Sequence, residues 1–369
     1  MLTPFDDYPI HPSADPIAHP ATGDPNHYDR YWFNGMDLDG GLFLAGAMGH
    51  YPVRGVVDAA FSVVLDGVEH SLFASGRMPL DRSTSVGPLR IEVIEPLKTI
   101  RFVADPGAEG VGADLVFRAR TAAIEEPRQR IVTAEGILAM DHTRLTQWGS
   151  WEGTIVVDGR DIPVDPQRVR GTRDRSWGMR GVGTAVVTNR PPHPPQVFWM
   201  WAPLHFDDIC THVALHQYQD GRRWLQTARL VPLAEGGAEA PGAAEEFEVD
   251  YELEWVPGRR EARAAVFSLR DRTGAIEKLE LETLYTFRMR GIGYSHPHWN
   301  HGSNHGELEV GRESIALDDF DPLDISSIHL QNVVRARWGD RQGVGVLEQF
   351  ALGPHDPSGL TGFLDGHRG

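Results

Sequence analysis

The chain has 369 residues, of which 41% are hydrophobic and 24% are charged, a composition typical of a folded globular protein. Its formal net charge of −17 opposes binding to nucleic acid or to anionic membranes, because both require clustered lysine and arginine. No apolar run approaches the roughly 18 residues of a membrane helix, so integral membrane association is not expected. The length favours two domains over one.

The cysteine content and the N-terminal residues provide evidence on the cellular compartment of the protein. Cys210 is the only cysteine, which excludes an internal disulfide and a thiolate-rich metal site. Residues 1–30 are acidic and rich in proline, without the apolar core of a signal peptide, and we expect an extended arm there. These features predict a cytoplasmic protein.

The chain has the pattern of β-structure almost throughout. Residues 89–93 and 115–119 show the period-two alternation of half-buried strands. Asp-Gly pairs at 66–67, 158–159 and 220–221 favour two-residue hairpins, in which both turn positions take positive φ. Helical periodicity is scarce. Many short strands joined by tight turns predict antiparallel sandwiches or barrels.

An unusual cluster of charged and aromatic residues lies near the midpoint, in Gly171-Thr172-Arg173-Asp174-Arg175-Ser176-Trp177-Gly178-Met179-Arg180. In a strand, the arginines on either side of Asp174 point to the opposite face and need not neutralise it. A carboxyl packed against the Trp177 indole would lose hydration, and its raised pKa would suit a general acid near neutral pH. The alternative is architectural, with Asp174 capping a turn or pairing with an arginine and Trp177 filling the core.

A proline-rich segment at 189–195 separates the chain into two halves. Proline disfavours a strand interior, and a new apolar run begins directly afterwards, at 197–201. We therefore predict an N-terminal barrel over 31–190 and a C-terminal barrel over 196–369.

The second half repeats the strand pattern of the first. Residues 246–255 alternate apolar and acidic side chains, and residues 279–289 show a similar alternation. Between the earlier strands and these runs, the Gly-, Ala- and Glu-rich stretch 234–246 predicts a flexible hairpin tip or insertion.

A second cluster is rich in histidine. Four histidines lie within ten residues: His296, His298, His301 and His305. Imidazole acts as a general base, or as a neutral hydrogen-bond donor, near physiological pH. His-x-His also suggests a metal site, but the cupin pattern needs a glutamate four or five residues later, where Gly302 and Ser303 stand. We favour a metal-free acid–base role over a catalytic metal or a plain polar loop.

Several common catalytic motifs are absent from the sequence. There is no phosphate-binding loop, no dinucleotide glycine fingerprint after a strand and no Gly-x-Ser-x-Gly elbow. Kinases, nucleotide-dependent oxidoreductases and α/β-hydrolases are therefore disfavoured.

The midpoint motif, with its core Asp174-x-x-Trp177-Gly178, resembles that of the AttH-like and carotenoid-hydratase (hydroxyneurosporene synthase) superfamily. Gly291-x-Gly293-Tyr294-x-His296-Pro297-x-Trp299-x-His301-Gly302 and the closing Gly343-x-Gly345-Val346-Leu347-Glu348-Gln349 resemble motifs of an uncharacterised branch of it. The resemblance spans most of the chain but is thin between the motifs.

The resemblance implies an all-β fold of two tandem lipocalin-like antiparallel β-barrels. It also implies chemistry without metal or organic cofactor, since the superfamily includes olefin hydratases and enzymes that guide pericyclic cyclisation. By position, the acid that protonates an alkene in the carotenoid hydratases falls on Asp174. The flanking arginines and the histidine cluster depart from that pattern and point away from a carotenoid, toward an oxygenated or aromatic molecule.

The sequence therefore predicts a cofactor-independent acid–base lyase, a hydratase, dehydratase or small-fragment carbon–carbon lyase, acting on a hydrophobic small molecule between two barrels. The alternatives are a cyclase or isomerase of the same superfamily and a non-catalytic lipid or pigment carrier. A homodimer is the default expectation. The predicted catalytic residues are Asp174, His296 and His301. The predicted substrate-binding residues are Arg173, Trp177, Arg180, Trp199, Tyr294, His298 and Trp299.

Overall fold

A computed structural model describes residues 2–3, 10, 14–133, 136–183, 196–234 and 245–368. The first half contains strands β1 (His27–Asp37), β2 (Phe43–Tyr51), β3 (Val56–Leu65), β4 (Val68–Arg77), β5 (Ser85–Val86), β6 (Leu89–Glu95), β7 (Thr99–Ala104), β8 (Val111–Ala119), β9 (Ile124–Glu125), β10 (Gln129–Val132), β11 (Leu138–Val157), β12 (Arg160–Val164) and β13 (Val169–Met179). The second half contains β14 (Val197–His205), β15 (Ile209–Gln217), β16 (Arg223–Pro232), β17 (Glu245–Glu246), β18 (Glu248–Trp255), β19 (Ala262–Arg270), β20 (Ile276–Arg288), β21 (Leu308–Ala316), β22 (His329–Trp338) and β23 (Arg341–Leu352). Short 3-10 helices lie at Met289–Ile292, Leu317–Asp319 and Asp356–Ser358. Within the described residues, no helix is long and apolar enough to cross a membrane.

The strands form two antiparallel sheets, each curved into a nearly closed barrel. The first sheet follows the order β21-β4-β3-β2-β1-β13-β11-β8-β7-β6-β5, with β9, β10 and β12 also paired to β11. The second follows the order β17-β16-β15-β14-β23-β22-β20-β19-β18. The prediction of an all-β protein with two tandem lipocalin-like barrels is confirmed.

One strand from the second half of the chain belongs to the sheet of the first half. β21 belongs to the second half but pairs with β4 over nine residue pairs, from Leu308 opposite Gly76 to Ala316 opposite Val68, and so extends the first sheet. β1 begins at His27, within the predicted N-terminal arm. The predicted linker at 189–195 and most of the predicted insertion lie outside the described residues, so the domain bounds remain a prediction.

Two of the three Asp-Gly pairs form the predicted hairpins. Asp66 and Gly67 have φ of 51° and 78°, and Asp158 and Gly159 have φ of 50° and 79°, as the two-residue turn requires. At the third pair only Gly221 has positive φ, because the strands there join through a longer loop between Gln217 and Arg223.

The three largest apolar clusters among the described residues fill the two barrels and the space between them. One fills the first barrel around Phe33 and Trp151, and one fills the second barrel around Phe267. The third lies between the barrels, where the rings of Trp32 and Trp201 meet edge to face with centroids 5.5 Å apart. β1 therefore packs on both faces, since Phe33 points into its own barrel and its neighbour Trp32 toward the other.

The first glycine of the midpoint motif has a packing role. The Trp151 indole lies across Gly171, and its Nε1 donates a hydrogen bond to the Asn34 carbonyl at 2.8 Å. A Cβ on Gly171 would lie 2.2 Å from that nitrogen, so only glycine lets the strand approach the indole so closely.

Gly171→Ala should lower the free energy of unfolding by about 1–3 kcal/mol, because the added methyl group forces the buried indole to shift. Chemical denaturation measures the change. Gly41→Ala is the matched control, since a Cβ there meets nothing within 4 Å, and its effect should stay within about 0.5 kcal/mol. Equal losses in the two variants would contradict the role assigned to Gly171.

Candidate active site

A cavity of about 290 Å³ lies between the two barrels, with walls from both sheets. This volume is at the small end of ligand pockets and suits a small organic molecule. The residues that line it are Tyr28, Arg30, Trp32, Gln129, Met140, His142, Arg144, Asp174, Ser176, Arg180, Gly181, Val182, Val197, Trp199, His216, Met289, Tyr294, Ser295, Asn300, His301, His329, Glu348 and Phe350. Aromatic and charged groups thus share one cavity.

The floor of the cavity comes from three neighbouring strands, with β13 between β1 and β11. Directly opposed residues of an antiparallel pair project to the same face. The register produces two adjacent rows on that face: Trp32, Asp174 and Thr146 in one, and Arg30, Ser176 and Arg144 in the other. Strand pairing alone therefore places the Asp174 carboxyl diagonal to two guanidinium groups.

Asp174 is buried, with 9% of its surface exposed, and its carboxyl accepts no hydrogen bond from the part of the chain that the structure describes. Burial raises its pKa to about 6; the nearby charges of Arg144 and Arg30 act in the opposite direction, and those of Glu126 and Glu348 reinforce the rise. Since a carboxyl of this kind exchanges its proton near neutral pH, it suits acid–base chemistry.

Arg30 is a buried cation without a polar partner. It is 1% exposed, and its three guanidinium nitrogens have no hydrogen-bond acceptor among the described residues. Its guanidinium carbon lies 4.4 Å from the centroid of the Tyr294 ring, a cation–π contact. Because an unpaired buried charge is costly, Arg30 favours an anionic or strongly polar group beside it.

Two further arginines surround the same space. Arg180 lies over the Tyr28 ring at 4.8 Å, and its Nη2 is 3.4 Å from the Tyr294 hydroxyl. Arg144 lies 5.1 Å from the Trp199 ring, and its Nε is 3.7 Å from Oε2 of Glu126. These stacked guanidinium groups are held in place by aromatic rings.

Two histidines in the cavity, His301 and His142, are held neutral. Burial, with the charge of Arg30, lowers the pKa of His301 to about 4, although Asp58 acts in the opposite direction with its Oδ1 3.6 Å from Nδ1. His301 Nε2 has no partner among the described residues. Burial and the charge of Arg144 lower the pKa of His142 to about 3. Both imidazoles are therefore unprotonated at neutral pH, so they are available as weak bases but not as general acids.

Glu348 is a fixed anion on the opposite wall. Its Oε1 accepts hydrogen bonds from Trp199 Nε1 at 2.8 Å and from His329 Nε2 at 2.9 Å, and its Oε2 accepts one from Gln331 at 2.7 Å. Burial alone would raise the pKa of Glu348, but the hydrogen bond and charge of His329, with the charge of Arg144, lower it. Glu348 is thus tied into a network, in contrast to Asp174.

The structure brings half of the predicted site residues to the cavity. Those that line it are Asp174, Arg180, Trp199, Tyr294 and His301. Those that do not are Arg173, Trp177, His296, His298 and Trp299. The midpoint cluster and the histidine-rich segment therefore both contribute side chains to the cavity, but fewer than the sequence predicted.

Strand alternation explains two of these differences. Arg173 points to the other face of β13, where its Nε donates to Gln147 at 2.8 Å and its guanidinium lies 5.8 Å from the Phe117 ring. Trp177 also points to that face and is 41% exposed. The predicted packing of Asp174 against Trp177 is wrong; the indole beside Asp174 belongs to Trp32, its partner on β1.

The remaining differences come from the fold of the histidine-rich segment. His296 Nδ1 accepts backbone hydrogen bonds from His298 at 3.0 Å and Trp299 at 2.8 Å, so His296 shapes the loop instead of facing the cavity. Trp299 stacks on Phe73 with the ring centroids 5.4 Å apart. His298 is exposed.

The sequence reasoning did not identify several cavity residues: Tyr28, Arg30, Trp32, His142, Arg144, Ser176, His216, His329 and Glu348. The spacing of Arg30 two residues before Trp32 is a usable signal, because it places a charge and an indole on one face of a strand. Glu348 belongs to the closing motif at 343–349, which resembles a motif of the superfamily, but the sequence assigned it no role. The others become neighbours only through strand pairing.

Comparison with known proteins places the chain in a family. Residues 2–361 match the model of the Family of unknown function (DUF8625), and the chain belongs to that family. No functionally curated protein matches the chain.

Several solved structures share its fold. An AttH-like protein from Nitrosomonas europaea has a TM-score of 0.56 at 14% identity, covering 93% of this chain and 98% of that one. CghA has a TM-score of 0.50 at 11% identity, with 89% of each chain covered. Kievitone hydratase from Nectria haematococca has a TM-score of 0.49 at 13% identity, covering 87% and 88%. At these identities, the likeness to the first two structures shows the fold alone.

Asp174→Asn should raise the free energy of unfolding by roughly 1–3 kcal/mol at about pH 8 and change it little at about pH 4. The folded-state pKa of about 6 lies above the ordinary value of 3.8, so the folded protein holds this proton more tightly than the unfolded chain does. The wild type therefore loses stability as the pH rises between these values, and asparagine, which cannot ionise, avoids the loss. Denaturant titrations at the two pH values measure it.

Asp114→Asn is the control for this experiment. The hydrogen bond from Arg101 lowers the pKa of Asp114, so its replacement should give no gain in stability at the higher pH. A destabilised Asp174→Asn variant at that pH would show that the carboxylate has a stabilising partner and is not held for chemistry.

Proposed function

We propose that this protein is an acid–base lyase that adds or removes water, or a small carbonyl fragment, on a hydrophobic small molecule bound between the barrels. The observation that most strongly supports this proposal is the state of the Asp174 carboxyl. The carboxyl is buried at the cavity floor, its pKa is raised to about 6, and it has no hydrogen-bond partner among the described residues. Keeping a carboxyl in this state costs stability, and a proton-transfer role explains its retention.

In dehydration, Asp174 would donate its proton to the leaving hydroxyl as the carbon–oxygen bond breaks. His301, neutral because burial lowers its pKa to about 4, would remove a proton from the adjacent carbon, and that electron pair would form the double bond. Hydration is the reverse sequence. Each proton transfer could contribute about 10²–10⁴ to the rate. Water would return the proton from His301 to Asp174 and close the cycle.

The other cavity residues would position the substrate. Trp32 and Trp199 offer apolar walls for an aromatic or isoprenoid skeleton. Arg30, unpaired and beside the Asp174 row, would hold an anionic oxygen such as a carboxylate or phenolate, with Arg180 assisting from the neighbouring aromatic stack.

The lining argues against one alternative, and the mass of the product would distinguish the other. A lipid or pigment carrier needs an apolar interior, whereas this cavity is lined by Arg30, Arg144, Asp174, Arg180 and Glu348. A cyclase or isomerase would use the same acid and base, but its product would have the mass of its substrate.

Asp174→Asn should lower turnover at least about a hundredfold, because asparagine can neither donate nor accept the transferred proton. The assay incubates the protein in deuterated water with alkenes, alcohols and β-hydroxy carbonyl compounds that carry an aromatic or isoprenoid group. Mass spectrometry follows gain or loss of water and deuterium on carbon. Asp114→Asn should retain full activity. Undiminished turnover by Asp174→Asn would overturn the role of this residue.

The wild type should bind 1-naphthoate at least about tenfold more tightly than 1-naphthylmethanol, because only the carboxylate supplies Arg30 with a counter-ion. Arg30→Gln should abolish this preference while leaving the affinity for the neutral alcohol nearly unchanged. Calorimetry measures both affinities, and Arg118→Gln, a change at an exposed arginine paired with Glu152, is the control. Equal affinity of the wild type for the two probes would contradict the anion-binding role.

A further inference from the structure

Two histidines and one glutamate converge at the outer side of the segment that carries His301. His298 Nε2 lies 2.8 Å from Oε1 of Glu309, and His305 Nδ1 lies 2.8 Å from Oε2 of the same carboxylate. The ligand atoms that the three side chains offer all lie within 4.8 Å of one another. Within the described residues, this is the one group of three or more histidine, cysteine or acidic side chains with such a spacing.

The donor set is selective in its chemistry. Two imidazoles and a carboxylate suit zinc and similar divalent transition metals, whereas magnesium and calcium prefer oxygen donors alone. Zinc binds such nitrogen and oxygen atoms at about 2.0–2.2 Å. Tetrahedral coordination at these lengths would require each histidine nitrogen to move only about 0.5 Å further from the Glu309 oxygen that it now contacts.

The surroundings hold part of the cluster in position. The His305 side chain is 8% exposed and lies 5.1 Å from the Trp299 ring, which is itself stacked on Phe73. The side chains of His298 and Glu309 are 54% and 41% exposed, so a cation can reach the cluster from solvent. One ligand is therefore preorganised and two are accessible.

We propose that His298, His305 and Glu309 bind a divalent transition metal ion of the zinc class, with water completing its coordination. His298 and His305 lie on either side of His301 in sequence, and Glu309 lies on β21, which is paired with β4 of the first sheet. The ion would join both ends of the 298–305 loop to that strand and hold His301 at the cavity. Its own position lies outside the cavity lining, so the ion takes no part in proton transfer.

This site differs from the one that the sequence pattern suggested. Counted from His298, the cupin spacing requires a carboxylate at 302 or 303, where Gly302 and Ser303 stand. The glutamate stands four residues after His305 instead, and the loop between the two histidines brings all three side chains together.

Calorimetric titration of metal-stripped protein with zinc chloride tests the proposal without any substrate. The wild type should bind one zinc ion that His298→Ala and Glu309→Gln each weaken by at least about tenfold. Because both side chains are partly exposed, these variants should keep the fold, which circular dichroism verifies. His70→Ala is the control. His70 forms a hydrogen bond with Ser314, which lies on β21 like Glu309, but His70 is outside the cluster. The His70→Ala variant should therefore bind zinc like the wild type.

Zinc should also slow amide hydrogen exchange across residues 296–306 in the wild type and in His70→Ala, but not in the two cluster variants. Equal zinc affinity in the wild type and both cluster variants would overturn the proposal, as would the absence of binding. Magnesium binding of the same strength would overturn it too, by showing a nonselective carboxylate. None of these results depends on lyase activity, so the two proposals can fail separately.

Discussion

A strand that is buried on both of its faces around Asp174 is the constraint on which the candidate site depends. β13 sends Arg173 toward the aromatic interior of the first barrel and Asp174 toward the second barrel, although the two residues are adjacent in the chain. The interface between the barrels excludes water from one face while the first core excludes it from the other. A carboxyl on such a strand loses its hydration without gaining the adjacent arginines as partners, which is why its pKa rises.

The charges around the cavity are arranged so that two of them remain uncommitted. Glu126 binds Thr146, Trp201 and His212, and Glu348 is held by its own network. Asp174 and Arg30 have no hydrogen-bond partner among the described residues and occupy diagonal positions of the same floor. An anion bound at Arg30 would further disfavour the charged form of Asp174, so binding and protonation would favour each other. The hydrogen-bond networks of Glu126 and Glu348 hold the cavity walls in place, whereas Asp174 and Arg30 remain available to a ligand.

The histidine-rich segment serves several purposes within a few residues. Tyr294 and His301 reach the cavity, His296 accepts hydrogen bonds that shape the loop, and His298 and His305 converge on Glu309 outside it. The segment can divide its side chains in this way because β21, which follows it, crosses to the first sheet and fixes its end there. Loop conformation, more than local composition, assigns each imidazole its surroundings.

The sequence by itself determined the fold class, because period-two alternation and Asp-Gly turns constrain each strand locally, as the hairpins at Asp66 and Asp158 show. It also singled out Asp174 and His301, whose residue types are unusual in their setting. Only the tertiary structure decided that Trp32 and not Trp177 lies beside Asp174, that Arg30 and Arg144 flank Ser176, and that His296 stays outside the cavity. The first two facts depend on strand register, which pairs Trp32 with Asp174 across 142 positions and Arg144 with Ser176 across 32, and no local pattern encodes such pairings. His296 stays outside because its own loop folds around it, through backbone hydrogen bonds that residue type alone does not specify.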